Sequence, residues 1–236
     1  MFFETCGTFI SGYKNDFSRR HRRDKYATGC VRENRTRFSN HSGEKFSSAA
    51  YESLSEIVQN FLENKSHSIN RACFGVAGPV RGKTAKITNL TWTADADSIV
   101  ELLGHDRIKL INDLEANVYG LNELNEDDFL ILNEGEPNPA DNRALISAGT
   151  GVNEAGIFYK DGNMALRLLA TGGAYIGGGI APKILPKLKE KQFLESFLSK
   201  GRMRNLLELM PVRIILNDKA ALLGAAHFAH YEIQDK

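Results

Sequence analysis

LINDLEANVYG, residues 110–120, leads from an apolar strand directly into a helix. The pattern returns near the end of the chain as ILNDKAALLG, residues 215–224. In both copies a glycine follows the aspartate after six or seven residues. Asn and Asp are good N-cap residues at a strand-to-helix junction. Helix geometry alone therefore explains both copies, and a duplicated architecture of two lobes explains them equally well.

The residues around these two copies indicate an α/β protein from about Glu44 onward. Apolar residues on one helical face predict a helix over 54–62, and the apolar run 72–77, stopped by Gly78-Pro79, predicts a buried strand. Other apolar runs predict strands at 108–111, 129–132, 144–147 and 212–216, and helices at 114–121, 193–198, 206–210 and 220–229.

The composition is that of an ordinary globular protein, with 236 residues, 42% hydrophobic and 25% charged. It excludes disorder and coiled coil as descriptions of the whole chain. Thirty basic and twenty-nine acidic residues give a net charge of +1, so no global field favours a nucleic acid or a membrane. No apolar run is long enough to span a bilayer, and the opening MFFETCGTFI is a poor signal peptide.

Cysteine and histidine usage gives no sign of a metal site. Cys6, Cys30 and Cys73 lie far apart, without the paired spacing of a zinc site or a disulfide framework. The six His residues show no helical i, i+4 pair, so we assign no metal ligands. Together with the composition, this usage predicts a soluble, cytoplasmic chain.

The segment 14–37 stands apart because it holds nine basic and three acidic residues, a net charge of +6, and almost no apolar periodicity. On composition alone the run Arg19–Arg23 favours a nucleic-acid patch or a localisation signal. A solvated, disordered tail is the commoner explanation of such a run. We therefore expect residues 1–40 to be a disordered basic segment, with no nucleic-acid partner.

Two glycine clusters could approach a phosphate or a flat ring closely. Ala148-Gly149-Thr150-Gly151 follows a predicted strand, and its backbone N–H groups and hydroxyl could face an anion. An ordinary hairpin turn explains this tetrapeptide more simply. Gly172-Gly173 and Gly177-Gly178-Gly179 precede a predicted helix start, although tight packing of a helix on a strand uses the same residues.

Asp113 is the residue best placed for acid–base chemistry, because it follows the carboxyl end of a strand, where open α/β sheets bind ligands. There it could accept a proton from a substrate hydroxyl, or it could serve only to cap the helix. The polar segment Thr88–Trp92 holds the single Trp and could line a sugar site through Asn89 and Thr91, or be a plain surface loop.

Several motifs in a fixed order resemble the bacterial glucokinase family, which has the two-lobed actin/hexokinase/Hsp70-like (ribonuclease H-like) α/β fold. The resemblance runs from about residue 44 to 162 and from about 163 to 229. Its motifs are ACFGVAGPV (72–80), TNLTW (88–92), LINDLEANVYGL (110–121), ILNEGEP (131–137), ALISAGTG (144–151), LATGGAYIGGGIAPKILPKL (169–188) and PVRIILNDKAALLGAA (211–226).

The resemblance implies a kinase that phosphorylates glucose or a similar hexose with ATP and Mg²⁺ in glycolysis, and it leaves a homodimer open. Asp113 would deprotonate the sugar hydroxyl, and Asn112 would bind the sugar. Gly149, Thr150 and Gly151 would form the second phosphate loop, and Gly177, Gly178 and Gly179 would lie beside the adenosine. The second Asn-Asp pair, Asn217 and Asp218, would be structural. The implied lobes are residues 41–143, with the catalytic Asp113, and residues 144–236, on the nucleotide side.

Three departures from the family predict a fold truncated in both lobes. The opening strand-turn-strand with its Asp-x-Gly-Gly-Thr phosphate loop is absent. A stretch that carries a Glu-Gly-Gly-His segment and a further Glu is also absent, because Tyr159–Gly162 runs directly into a segment that resembles a helix from well downstream. Asn153 stands where the family usually has Gly.

These losses predict a chain that is defective as written. In the family, the missing Glu-Gly-Gly-His segment and the further Glu hold the sugar. Hydrogen bonds to charged groups contribute about 1.5–3 kcal/mol each, so the loss of three such sugar ligands removes roughly 5–9 kcal/mol. A micromolar to millimolar ligand binds with about 4–8 kcal/mol in total. The alternative to an active glucokinase is therefore a non-catalytic remnant of that fold, or a module that binds a sugar or a nucleotide.

The missing phosphate loop has an origin that DNA sequencing can test. Permissible codons for residues 14–31, read one base later, encode Met-Thr-Leu-Ala-Gly-Asp-Ile-Gly-Gly-Thr-Asn-Thr-Arg-Leu-Ala-Val, which is the family's opening. We therefore expect residues 1 to about 40 to be an out-of-frame translation. Sequencing this region of the gene should recover the motif in the shifted frame, and codons that cannot encode it there would refute the hypothesis.

Overall fold

The chain folds as two compact units. The computed structural model describes residues 6–13, 25–34, 37–63, 69–87, 90–138, 140–148, 152–155, 164–179 and 181–233. Unit 1 consists of residues 1–124 and 219–236, and unit 2 of residues 125–218. The division differs from the expected one, because the closing helix belongs to unit 1 and the strand near residue 130 to unit 2. No helix within the described ranges is long and apolar enough to cross a bilayer.

Unit 1 holds eight strands and four helices among its described residues. The strands are β1 (Cys6–Tyr13), β2 (Lys25–Asn34), β3 (Arg37–Ser47), β4 (Ile69–Val76), β5 (Val80–Arg81), β6 (Thr84–Lys86), β7 (Thr93–Asp95) and β8 (Ile108–Asn112). The helices are α1 (Leu54–Leu62), α2 (Ala96–Leu103), α3 (Asp113–Gly120) and α8 (Ala220–Tyr231), with a 3₁₀ turn at Ser48–Ala50.

Five of these strands form one mixed sheet in the order β3-β2-β1-β4-β8. Strands β1, β2 and β3 pair antiparallel, whereas β1, β4 and β8 run parallel. Strands β5, β6 and β7 form a separate small antiparallel sheet. Residues 6–13 and 25–34 thus form a pair of strands, although the Asp-x-Gly-Gly-Thr motif is absent from this part of the sequence. In unit 1 the chain therefore lacks the motif, whereas a strand pair is present. The disorder expected of residues 1–40 is not found at 6–13, 25–34 and 37–40, which are strands.

Helices α1 and α2 cover one face of this sheet. Ser53 caps α1 by accepting the N–H of Glu56 at 3.1 Å, which explains where the predicted helix begins. The apolar face of α1 then packs with Phe74 of β4 and Ile99 of α2 in one buried cluster. The predicted strand at 72–77 is confirmed as β4, which starts three residues earlier and is fully buried over its second half.

The opposite face carries α3 and α8, which cross each other at two glycines. A Cβ at Gly120 would overlap the carbonyl oxygen of Ala220, and a Cβ at Gly224 would overlap that of Ala116. The same packing requires Gly75 in β4, where a Cβ would lie 3.0 Å from the Cβ of Ala116. This backbone-to-backbone approach places α8 in unit 1.

Unit 2 has a second five-stranded sheet, in the order β11-β10-β12-β13-β9. Its strands are β9 (Phe129–Asn133), β10 (Arg143–Ala148), β11 (Val152–Ala155), β12 (Gly173–Gly177) and β13 (Val212–Ile215). Its helices are α4 (Met164–Arg167), α5 (Leu185–Leu188), α6 (Lys191–Leu198) and α7 (Arg204–Leu209), with 3₁₀ turns at Glu126–Asp128 and Gly201–Met203. Its core consists of two buried clusters: Ile214 packs with Ile176 and Phe193 in one, and Leu207 packs with Met210 and Ala144 in the other.

The two sheets share a strand pattern. An antiparallel strand, β2 or β11, flanks a parallel trio, which is β1-β4-β8 in unit 1 and β10-β12-β13 in unit 2. Unit 1 continues the pattern outward with β3, whereas the described part of unit 2 has no strand beyond β11. The strand that is missing in unit 2 would follow β11 in sequence, which is where the chain is predicted to be shortened.

The glycine crossing can be tested with Gly224→Ala. In an exposed helix, Gly to Ala stabilises by about 1 kcal/mol. Here the new methyl group has no space against the carbonyl of Ala116, so we expect the free energy of unfolding to fall by about 1–3 kcal/mol in urea denaturation. Gly120→Ala should behave in the same way, and a gain in stability for both variants would refute the close crossing.

Candidate functional site

Asp113 is the first residue of α3 and directly follows the carboxyl end of β8. Strands β1, β4 and β8 are parallel, so their carboxyl ends meet at one edge of the sheet, which is where α/β folds bind ligands. The short apolar strand and the cap at its end therefore place a half-buried carboxylate at this edge.

Asn112 is the N-cap of α3. Its Oδ1 accepts the N–H of Leu114 at 2.9 Å, and its Nδ2 donates to the carbonyl oxygen of Gly78 at 3.0 Å. The side chain thus joins the turn after β4 to the start of α3. Each polar atom has one further hydrogen-bonding position, so a sugar hydroxyl would have to share this amide with the structure.

Two hydrogen bonds hold Asp113, one at its side chain and one at its backbone carbonyl. Its Oδ1 accepts the same Leu114 N–H at 3.0 Å, and its carbonyl oxygen accepts the Nδ2 of the buried Asn117 at 2.9 Å. A carboxylate has about four lone-pair positions, of which the bond from Leu114 uses one. The arrangement can therefore act as a general base while it also supports the helix start.

The remaining predicted residues of unit 1 contribute less to this site. Thr91 is exposed in the turn before β7, and Asn89 lies outside the described residues. Trp92 packs against the buried cluster beneath α1 and α2, which favours a core role for the ring. Burial raises the pKa of the Cys73 thiol well above its ordinary value, and the nearby Glu115 carboxylate raises it further, so this thiol stays protonated.

In unit 2, Gly172 and Gly173 lie at the amino end of β12, whereas Gly177 lies at its carboxyl end. Strands β10 and β12 are parallel, and Ser147 is in register with Gly177 near their carboxyl ends. Gly149, Thr150 and Gly151 lie outside the described residues. They follow β10 directly in sequence, as Gly178 and Gly179 follow β12.

Close packing favours glycine at one of these positions, and the backbone conformation favours it at another. A Cβ at Gly177 would lie 3.1 Å from Cδ1 of Ile215, and Gly178 has a φ of 83°, which favours glycine. Gly177 ends a strand, and the next helix, α5, begins only at residue 185. The expected position directly before a helix is therefore wrong, and the cluster is a strand end followed by a turn. No group of three metal-binding side chains occurs among the residues that the structure describes.

The two copies of the Asn-Asp pattern differ in structure. Asn112 caps α3, whereas Asn217 donates from Nδ2 to Oδ1 of Asp128 at 3.0 Å. The N-cap position of α8 is Lys219, whose side chain makes no capping bond. Helix capping therefore explains only the first copy. The second copy joins the end of β13 to the 3₁₀ turn before β9.

The glucokinase family model matches residues 27–162 and 159–232. The chain belongs to the glucokinase family. A glucokinase of Nostoc punctiforme is 29% identical over 303 aligned positions, which cover 78% of this chain and 89% of that protein.

Solved structures agree with this assignment at the level of the fold. A glucokinase from an Antarctic psychrotroph superposes with a TM-score of 0.76 at 18% identity, covering 94% of this chain and 98% of that one. A glucokinase of Balamuthia mandrillaris in complex with glucose gives a TM-score of 0.61 at 11% identity, covering 96% and 93%. The two-lobed actin/hexokinase-like fold predicted from the sequence is confirmed.

The comparisons also locate the shortening. The two family matches meet at residues 159–162, the predicted break. The alignment to the Nostoc protein spans 303 positions and includes 78% of the 236 residues of this chain, or about 184 residues. About 119 of the aligned positions therefore have no residue in this chain. The first match begins at residue 27. Sequence that matches the family in the present reading frame thus begins before residue 40, where we expected the out-of-frame segment to end.

The two contacts of Asn112 can be separated by substitution. Asn112→Ala removes both the cap and the bond to Gly78, and we expect the free energy of unfolding to fall by about 1–2 kcal/mol. Asn112→Ser keeps a capping oxygen and should recover part of that loss in the same urea titration. A Ser variant as unstable as the Ala variant would contradict the capping role.

Proposed function

We propose that this chain is a glucokinase that transfers the γ-phosphoryl group of ATP to glucose, with Asp113 as the general base. The observation that carries the proposal is the placement of Asp113 at the carboxyl edge of a parallel sheet, in a chain of the glucokinase family. The glucose complex of a structural neighbour supports a hexose as the acceptor.

The chemistry assigned to Asp113 is a proton transfer. As the hydroxyl oxygen of the sugar attacks the γ-phosphorus, its proton moves to the Asp113 carboxylate, and the bond to the leaving ADP oxygen breaks. The bonds from Leu114 N–H and Asn117 Nδ2 fix the peptide around the carboxylate, so little reorganisation is needed.

The nucleotide is assigned to the carboxyl edge of the sheet in unit 2. The backbone there fits a phosphate or a flat ring, because Gly177 and Gly178 present no side chains at the strand end. Gly149, Thr150, Gly151 and Gly179 complete the proposed nucleotide residues. Mg²⁺, when bound with ATP, neutralises charge on the phosphates. On the sugar side we propose Asn112, Asn89 and Thr91.

A second candidate is a non-catalytic member of the family that retains the fold. The observation that favours it is the break in the family match at residues 159–162, in a chain that leaves about 119 positions of the alignment to its relative unfilled. The absent stretch includes the Glu-Gly-Gly-His segment that the resemblance assigns to sugar binding. Such a protein would keep the Asp113 site without turnover.

A coupled assay of ADP formation with glucose and ATP separates the two candidates. The repeated sequence offers a matched control, because Asp218 occupies the same place in the second copy. We expect Asp113→Asn to lower turnover by about 10²–10⁴-fold, as for the loss of a general base, and Asp218→Asn to leave it unchanged. Mass measurement in solution shows whether the assayed species is a monomer or a homodimer.

The outcomes of this assay test the role of Asp113 and the activity of the chain. Turnover that survives Asp113→Asn would refute the role of this carboxylate. A folded wild-type chain with no turnover at saturating glucose and ATP would refute the activity and favour the non-catalytic candidate. Calorimetric binding of an ATP analogue to that inactive chain would then show whether it retains the nucleotide site.

A further inference from the structure

A buried carboxylate contacts a histidine where α3 and α8 run together. Glu123 lies in the turn after α3 with 8% of its side chain exposed, and its Oε1 is 2.6 Å from Nδ1 of His227 in α8. A buried carboxylate is costly unless it is paired and hydrogen-bonded. This contact is therefore one that the fold has to maintain.

Aromatic rings surround the imidazole of His227. The rings of Tyr231 and Tyr119 lie 4.6 and 5.8 Å from it, and Tyr119 meets Phe228 edge to face at 5.2 Å. Burial raises the pKa of Tyr119, and the carboxylates of Glu232 and Glu115 raise it further, so this phenol stays neutral at pH 7. The contact between His227 and Glu123 therefore lies beside a cluster of aromatic rings.

The position of the pair along the chain is informative. Glu123 stands two residues before the first connection from unit 1 to unit 2, and α8 begins two residues after the second connection. The pair therefore joins the two chain segments through which unit 1 continues into unit 2. It also anchors the end of α3, the helix whose first residue is Asp113.

We propose that Glu123 and His227 are positioning residues that hold α3 on α8 and thereby fix the pose of Asp113. The catalytic part of the proposal rests on the proposed function, whereas the effect on α3 does not. The two crossing glycines bring the helix backbones together. Close packing at a glycine is not directional, whereas the pair supplies a directional bond that opposes sliding or rotation of α3.

The test measures the amide exchange of Leu114, whose N–H bonds to Asn112 and Asp113, by NMR on the full chain. His227→Leu removes the partner of Glu123 and should speed this exchange by about tenfold or more through local opening. His227→Gln keeps an N–H donor and should restore most of the protection. Glu126→Gln removes an ion pair of unit 2, with Arg213, and should leave Leu114 unchanged.

A double variant separates loss of the pair from loss of ring packing. Glu123→Gln/His227→Leu removes the buried carboxylate charge together with its imidazole partner, so Leu114 should be better protected in it than in His227→Leu alone. If the single variant fails to fold, folding of the double variant supports the pair. A double variant as unprotected, or as unfolded, as the single variant would overturn the proposal.

Turnover provides the second readout. In an active wild-type chain, His227→Leu should lower kcat by about tenfold and also raise the KM for glucose, because the start of α3 carries both the proposed base Asp113 and the proposed sugar ligand Asn112. Faster Leu114 exchange with unchanged kcat would overturn the catalytic part. A wild-type chain without turnover refutes the proposed function alone, since the exchange of Leu114 then still decides whether the pair holds α3.

Discussion

The close crossing of α3 and α8 is the contact on which the rest of unit 1 depends. Two helices approach to backbone distance only where both lack a Cβ at the contact, and Gly120 and Gly224 satisfy this condition reciprocally. The crossing holds the last helix of the chain against the first half, about a hundred residues away in sequence. It also places α3 against β4 at Gly75, so the start of α3 is fixed relative to the strand ends of the sheet.

The sequence predicted the local parts of this arrangement well. The predicted helices over 54–62 and 220–229 and the strands near 72, 108, 144 and 212 are confirmed, because their signals are short runs and periodicities that each segment carries itself. The glycines at 120 and 224 were visible as part of a repeated pattern. Nothing local could show that the two copies touch, or that α8 would therefore belong to unit 1.

The contacts that position the candidate site are non-local, which is why sequence reasoning missed them. The amide of Asn112 meets the carbonyl of Gly78, 34 residues earlier, and Glu123 meets His227, 104 residues later. Asn117 gave no signal either, since a buried amide that bonds to its own helix looks like any polar residue in an amphipathic stretch. The repeated Asn-Asp pairs were alike as letters, but only the first caps a helix.

The structure explains how the site of Asp113 can persist in a chain that has lost a large segment elsewhere. The hydrogen bonds described above for Asp113 and Asn112 come from residues 78–117, within one sheet edge and one helix start. The absent segment belongs after β11 in unit 2, so its loss leaves these bonds intact. The placement of this carboxylate at the end of β8 is consequently a part of the family's architecture that the chain retains. The lost segment lies outside residues 78–117, and its position in the chain explains why these contacts remain.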